Sequence, residues 1–174
     1  MYKLNGVMYS AEEIKAKVKE LAKQIEKDYA GEELLVVGIL KGASVFCADL
    51  IREIDLDVRM DFMVVSSYGN ETSSSGTVKI IKDLDVDIEN KNVLIVEDII
   101  DSGLTLSSLV AALETRKPKS LKLCTLLDKP ERRTADIKVD YVGYVIEDKF
   151  IVGYGIDFAE KYRNLPYIGI VEDI

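Results

Sequence analysis

Between Ser10 and Gly31 apolar residues recur at Ile14, Val18, Leu21, Ala22, Ile25 and Tyr29, with Lys and Glu filling the gaps. This spacing of three and four predicts a helix with one buried face. Ser10 followed by Glu13 has the form of a capping box at its start, and Gly31 supplies a stop. The pattern then changes. Residues 33–40 (ELLVVGIL) are almost unbroken in apolar side chains. A short run of that kind suits a strand covered on both faces. Residues 43–54 (ASVFCADLIREI) predict a helix, 59–68 (RMDFMVVSSY) a strand, and 77–83 (TVKIIKD) a strand returning from the small, polar stretch 69–76 (GNETSSSG). Residues 92–99 (NVLIVEDI) predict a strand and 105–116 (TLSSLVAALETR) a helix stopped by Pro118. Residues 120–128, 141–146, 150–156 and 167–171 predict further strands. Apolar strands alternating with helices imply an α/β fold, a parallel sheet flanked by helices on both faces. The strand-rich C-terminal third implies an added antiparallel subregion.

Bulk properties narrow the chemistry. The 174 residues suit one domain spanning 1–174, and no repeat, linker or compositional break divides them. With 31 acidic against 23 basic residues, the net charge is −8. That balance argues against bulk binding to nucleic acid or to an anionic membrane, and leaves only a local basic pocket open. There is no histidine. Ser-His-Asp catalysis, His-ligated zinc and imidazole acid–base work are therefore excluded, and proton transfer falls to carboxylate, Lys or Tyr. Cys47 and Cys124 each sit inside an apolar segment with no CxxC pair, so both are expected to be buried free thiols, in keeping with a reducing compartment. The apolar runs are too short for a signal peptide or a membrane span, so a soluble, cytoplasmic protein is expected.

The stretch Val93–Thr105 (VLIVEDIIDSGLT) carries the strongest chemical signal. Ligands of open α/β sheets bind beyond the carboxyl ends of the strands, so a strand at Val93–Val96 puts Glu97 to Thr105 at the binding edge. Asp101-Ser102-Gly103-Leu104-Thr105 then turns into a helix. Its first N–H groups, with the Ser102 and Thr105 hydroxyls, suit a phosphate, and Gly103 allows close backbone approach. Glu97, Asp98 and Asp101 would repel that phosphate unless they serve other groups. Carboxylates accept hydrogen bonds from sugar hydroxyls, and they hold Mg2+ that bridges to further phosphate. Both together describe a phosphorylated sugar carrying a second, metal-bound phosphate group. By residue type alone, an N-capping Asp beside two surface acids fits as well.

Four apolar residues, Glu-Asp, two apolar residues and Asp-Ser-Gly-x-Thr make a pattern that resembles the 5-phosphoribosyl-1-pyrophosphate (PRPP) signature of purine phosphoribosyltransferases. Other landmarks of that family occur in order: LKG at 40–42, SSY at 66–68, LLDKPERR at 126–133 and DKFIVGYGIDFAEKYRNLP at 148–166. The resemblance covers nearly the whole chain and points to the hypoxanthine-guanine branch. It implies the type I phosphoribosyltransferase fold, a central parallel sheet with a small hood subregion.

Position by position, the resemblance implies the following roles. Glu97 and Asp98 lie near the ribose hydroxyls, where a Mg2+ also sits. Asp101 is the catalytic carboxylate facing purine N7, and Asp101 to Thr105 bind the 5′-phosphate. Leu104 stands where relatives often carry Lys or Asn, so its contribution is through the backbone. Lys41 and Gly42 form the pyrophosphate loop, with a non-proline cis peptide, and Arg163 is a further pyrophosphate contact. Lys129 recognises the 6-oxo group, Phe150 stacks on the base, and the Ile151 backbone meets the purine edge. Asp157 holds a second, pyrophosphate-bound Mg2+ and is counted with the purine-binding residues. Ser67 and Tyr68 begin a catalytic loop with a mobile tip at 69–76, a lid that excludes water. The implied activity is purine salvage: transfer of 5-phosphoribosyl from PRPP to hypoxanthine or guanine, by a homodimer or homotetramer with the 40–42 region near an interface. A competing reading is a non-catalytic RNA-binding regulator on the same fold. It calls for a basic face, whereas this chain is acidic and keeps Lys129, Phe150, Asp157 and Arg163.

Overall fold

The computed structural model describes residues 2–67 and 78–173. Its elements run β1 (Tyr2–Tyr9), α1 (Ala11–Asp28), β2 (Leu34–Ile39), α2 (Ser44–Glu53), β3 (Val58–Ser67), β4 (Val78–Lys82), β5 (Asn92–Ile100), α3 (Leu104–Glu114), β6 (Ser120–Asp128), a 3-10 turn (Pro130–Arg132), β7 (Tyr141–Val145), β8 (Ile151–Val152) and β9 (Ile168–Asp173). Six strands form one sheet in the order β4-β3-β2-β5-β6-β7. Neighbours from β3 to β7 are parallel, while β4 pairs antiparallel with β3. The sheet is thus mixed at one edge rather than wholly parallel, because the 77–83 strand returns directly from β3.

The alternation of side chains across a strand explains the unbroken apolar runs. Leu34 and Val36 of β2, with Leu94 and Val96 of β5, face Ile14, Leu21, Phe46 and Leu50 of α1 and α2. Their neighbours Leu35, Val37, Val93 and Ile95 face Leu106, Leu109 and Leu113 of α3. Both faces are therefore covered, as expected. The Ser10–Glu13 capping box is present: the Glu13 N–H donates to Ser10 Oγ at 3.1 Å, and the Ser10 N–H donates to Glu13 Oε2 at 2.8 Å. Cys47 and Cys124 are free and buried. Burial pushes the Cys47 thiol up to about 11 and raises that of Cys124 as well. No helix among the described residues is long and apolar enough to cross a membrane.

The second sheet is an antiparallel hood ordered β1-β9-β8. It differs from expectation at three places. β1 was not read as a strand, because its Asn5-Gly6 pair looks like a turn. Gly6 instead sits at φ +95 where the β1–β9 register shifts, a bulge inside the strand. The 141–146 segment joins the central sheet as β7, parallel to β6, rather than the hood. The 150–156 strand shrinks to Ile151–Val152, because Gly153, Tyr154 and Gly155 all take positive φ.

Candidate active site

The site lies at the carboxyl edge of β5 and β6. Strand β5 runs one residue beyond the expected 92–99 to Ile100, paired with β6 as far as Ile100 opposite Asp128. Glu97 and Asp98 are therefore strand residues, and the turn itself is Asp101 to Gly103. Gly103 caps α3 at φ 76, a left-handed conformation in which a Cβ would meet Ile137 Cγ2 at 3.1 Å and Arg133 Cδ at 3.2 Å. The far side of the turn is pinned. Thr134 and Ala135 donate their N–H groups to the Ser102 carbonyl at 3.0 and 3.1 Å, and Arg133 Nε donates to the Asp101 carbonyl at 3.2 Å while its guanidinium pairs with Asp128. Among the described residues the near side is open. No side chain caps α3, its first turn holds no acid, and its Leu104 N–H reaches Ser102 Oγ at 3.3 Å. A cavity of about 160 Å3 lies against this end, lined by residues 99–106, Val65 and Glu97. Unpaired N–H groups and the positive end of a helix make that cavity a place for an anion. Helix α1 shows the contrast: its start is closed by its own capping box and carries Glu12 and Glu13.

Glu97 lines this cavity, and with Asp98 it forms a half-buried acidic pair. The Asp98 N–H donates to Glu97 Oε1 at 3.1 Å, and the Ile99 N–H to Asp98 Oδ1 at 2.7 Å. Burial first, then the neighbouring Asp98 charge, holds the Glu97 carboxyl well above the ordinary carboxylate range. Burial raises Asp98 too, opposed by its hydrogen bonds and by the Arg163 charge. A cation beside two adjacent half-buried carboxylates would offset the cost of ionising both. Hard oxygen donors suit Mg2+, which takes one or two carboxylates and completes its shell with water and substrate phosphate. Among the described residues no cluster of three or more metal-ligating side chains exists. Gly42 presses on the same pair: a Cβ there would fall 1.9 Å from Asp98 Oδ2. The peptide between Leu40 and Lys41 is cis, as the resemblance implied.

Next to Gly42 lies a charged cluster. A Cβ on Gly155 would meet the Gly42 carbonyl at 2.3 Å, so the two backbones are in close contact. Arg163 donates to the Gly155 carbonyl at 2.8 Å and pairs with Asp157 at 3.0 Å and Glu160 at 3.3 Å. Lys41 pairs with the other oxygen of Glu160 at 2.9 Å. Lys41, Asp157 and Arg163, far apart in sequence, are thus brought together.

On the other side of Asp101 is Lys129. It is 7% exposed, its Nζ lies 3.6 Å from Asp101 Oδ1 and 3.5 Å from Asp148 Oδ1, and its N–H donates to the Ile100 carbonyl at 3.0 Å. Asp148 also accepts from Arg132 Nε at 2.6 Å. Phe150 follows in the same loop, 47% exposed, with its ring edge-on to Phe158 at 5.1 Å between centroids. Ile151 is buried in β8, the edge strand of the hood.

Residues 8–159 match the phosphoribosyl transferase domain. A hypoxanthine-guanine phosphoribosyltransferase of Bacillus subtilis is 58% identical over 97% of this chain and 94% of that protein. Among solved structures, a hypoxanthine-guanine phosphoribosyltransferase from Bacillus anthracis superposes with a TM-score of 0.94 at 55% identity, covering 99% of this chain and 100% of that one. A hypoxanthine phosphoribosyltransferase from Staphylococcus aureus gives 0.94 at 54% identity, covering 97% and 92%. The chain belongs to the phosphoribosyl transferase family, in its hypoxanthine-guanine branch.

Within this phosphoribosyl transferase fold, the structure adds residues that the sequence reading did not single out. Asp148 and Glu160 each bridge two cations, and Arg133 braces the turn. Ser67 ends β3, exposed. Tyr68 and the 69–76 tip fall outside the described residues. A larger cavity of about 640 Å3 lies between α1, α2 and residues 163–166. Of the site residues only Arg163 reaches it, whereas the smaller cavity is lined by Glu97, Asp101 and the start of α3.

Proposed function

We propose that this chain transfers 5-phosphoribosyl from PRPP to N9 of hypoxanthine or guanine, giving IMP or GMP and pyrophosphate. The observation that carries the reading is the meeting of Asp101 and Lys129 at 3.6 Å beside the open end of α3. One is a proton acceptor and the other a donor without acceptor capacity. Side by side they complement the N7–H and O6 of a 6-oxopurine, which are neighbours on one edge of the base. Adenine presents an amine at the 6-position and would meet the ammonium donor to donor.

In this reading the Asp101–Thr105 turn binds the 5′-phosphate through its backbone and the Ser102 and Thr105 hydroxyls. Glu97 and Asp98 face the ribose hydroxyls. Lys41, Gly42 and Arg163 hold the pyrophosphate, Phe150 stacks on the base, and the Ile151 backbone meets the purine edge. Glu97, Asp98 and Asp157 are the groups that would hold Mg2+, whose contribution is to neutralise charge on the departing pyrophosphate. N9 bonds to the anomeric carbon as the bond to pyrophosphate breaks, and Asp101 manages the proton at N7. Positioning and charge stabilisation do the work, with no covalent bond to the enzyme. Ser67 and Tyr68 would anchor a lid that keeps water from the electron-poor sugar carbon. The working unit is read as a cytoplasmic homodimer or homotetramer, each chain acting as one domain.

The test is product formation from PRPP and hypoxanthine, followed by chromatography with Mg2+ and with EDTA. The reading expects IMP in the first case and none in the second. Folded protein that makes no nucleotide from either 6-oxopurine would sink it.

A further inference from the structure

Lys129 raises a question that base recognition alone does not answer. Its ammonium is buried, and two carboxylates face it in the ligand-free molecule, Asp101 at 3.6 Å and Asp148 at 3.5 Å. Under the function proposed above, Asp101 must engage the N7 proton when the base arrives. Its side chain is 55% exposed, so it has room to turn. A buried cation that loses its counter-charge carries a large desolvation cost. Some group has to stay behind.

Asp148 has the geometry for that. It approaches Lys129 from the loop after β7, and its second oxygen accepts from Arg132 Nε at 2.6 Å. Arg132 belongs to the 3-10 turn that follows Lys129 directly, so the clasp fixes Asp148 relative to the residue it faces. The seam is closed again by the Ile146 N–H, which donates to the Asp128 carbonyl at 2.8 Å. Arg132 first, with Lys129 adding to it, holds the Asp148 carboxyl below its ordinary range, so it is ionised at neutral pH. An ammonium has three donors. One directed to Asp148 leaves the others for the base once Asp101 has turned to N7.

We propose that Asp148 is a positioning residue for base selection: clasped by Arg132, its carboxylate is the standing counter-charge that aims the Lys129 ammonium at the 6-oxo group while Asp101 engages N7. The inference rests on the function proposed above. It assigns no contact between Asp148 and the base. It makes the preference for a 6-oxo over a 6-amino purine depend on a residue 19 positions away from the donor, counted from 129 to 148.

A purely structural role, pinning two loops together, has a different signature. The experiment measures kcat and KM for hypoxanthine, guanine and adenine, KM for PRPP, and the melting temperature, for the whole chain as wild type, Asp148→Asn and Arg132→Gln. Asp148→Asn keeps the shape and removes the charge. Loss of a charge-assisted contact of this kind is expected to raise KM for the 6-oxopurines about tenfold. The hypoxanthine-to-adenine ratio of kcat/KM narrows, while KM for PRPP and the melting temperature change little. Arg132→Gln leaves the carboxylate but releases it, and raises the base KM by a smaller factor, about two to three. An unchanged base KM in folded Asp148→Asn overturns the proposal, as does a parallel rise in base and PRPP KM with a lowered melting temperature. Should Asp148→Asn not fold, Arg132→Gln decides, and an unchanged base KM there overturns it. A wild type that makes no nucleotide defeats the functional reading and this inference together, whereas an active wild type with an indistinguishable Asp148→Asn defeats this inference alone.

Discussion

Asp101 and Gly42 show what single residues contribute to this site. Asp101 follows the last residue of β5, begins a turn and faces a buried cation, and the proposed function sets its carboxylate beside the base. Removing general acid–base help commonly costs about 10²–10⁴-fold in rate. Asp101→Asn is expected to lose kcat within that range while equilibrium binding of PRPP stays near wild type. Near-full activity in that variant would remove Asp101 from its role. Gly42 is constrained by space, not by φ: any side chain there collides with the Asp98 carboxylate, 1.9 Å from a Cβ. Gly42→Ala is expected to raise KM for PRPP and leave KM for hypoxanthine almost unchanged, a split that steady-state kinetics reads directly. Asp101 was legible because it sits in a contiguous pattern, Val93 to Thr105, whose spacing carries chemistry, and Gly42 only through the family resemblance at 40–42. Asp148 and Glu160 were not. Each acts by bridging cations across the fold, Glu160 reaching a lysine 119 residues away, and nothing local marks such a carboxylate apart from a solvated one.

At the scale of elements, the two helix starts were readable for opposite reasons. Ser10 and Glu13 announce a helix that closes its own end, and Asp101-Ser102-Gly103 a helix that leaves its end open. The hood was read only in part. Strand β1 is held by backbone pairing to β9 and interrupted by a bulge at Gly6, so it lacks the apolar alternation that marks a strand. Strand β8 is cut short by three consecutive positive-φ residues, of which Tyr154 gives no warning in sequence. A separate clamp ties β4 to α3: Arg116 donates to both oxygens of Asp83 at 2.8 and 2.9 Å. The guanidinium holds the Asp83 carboxyl below its ordinary value, so the folded state resists protonation there more than the unfolded chain does. The resulting stability is present above the unfolded carboxylate value of 3.8 and is lost as pH falls through the folded one. Asp83→Asn is therefore expected to lower stability at neutral pH, by no more than about 1 kcal/mol for a pair this exposed. It also makes the acid limb of urea-unfolding stability shallower. An unchanged acid limb would contradict the assignment.

Across the whole molecule, the sheet does what no local pattern can. It carries residues 40–42, 97–105, 129–133 and 148–163 to one edge, so that a cis-peptide loop, an acidic pair, an open helix end and a buried lysine meet. Both faces behind that edge are covered: the apolar alternation of β2 and β5 is satisfied by α1 and α2 on one side and α3 on the other. That layering was legible because unbroken apolar strands demand it. The antiparallel β4 edge and the place of β7 in the main sheet depended on pairings that sequence does not state. Under the proposed function the Asp101–Lys129 pair reads a 6-oxopurine. The deciding measurement is pyrophosphate release with PRPP and Mg2+ for hypoxanthine and adenine, in wild type and in Lys129→Gln. Rapid release with hypoxanthine and almost none with adenine is expected of wild type, and a collapse of that preference in the variant. Equal turnover of the two bases by wild type, or an undiminished preference without Lys129, would contradict it.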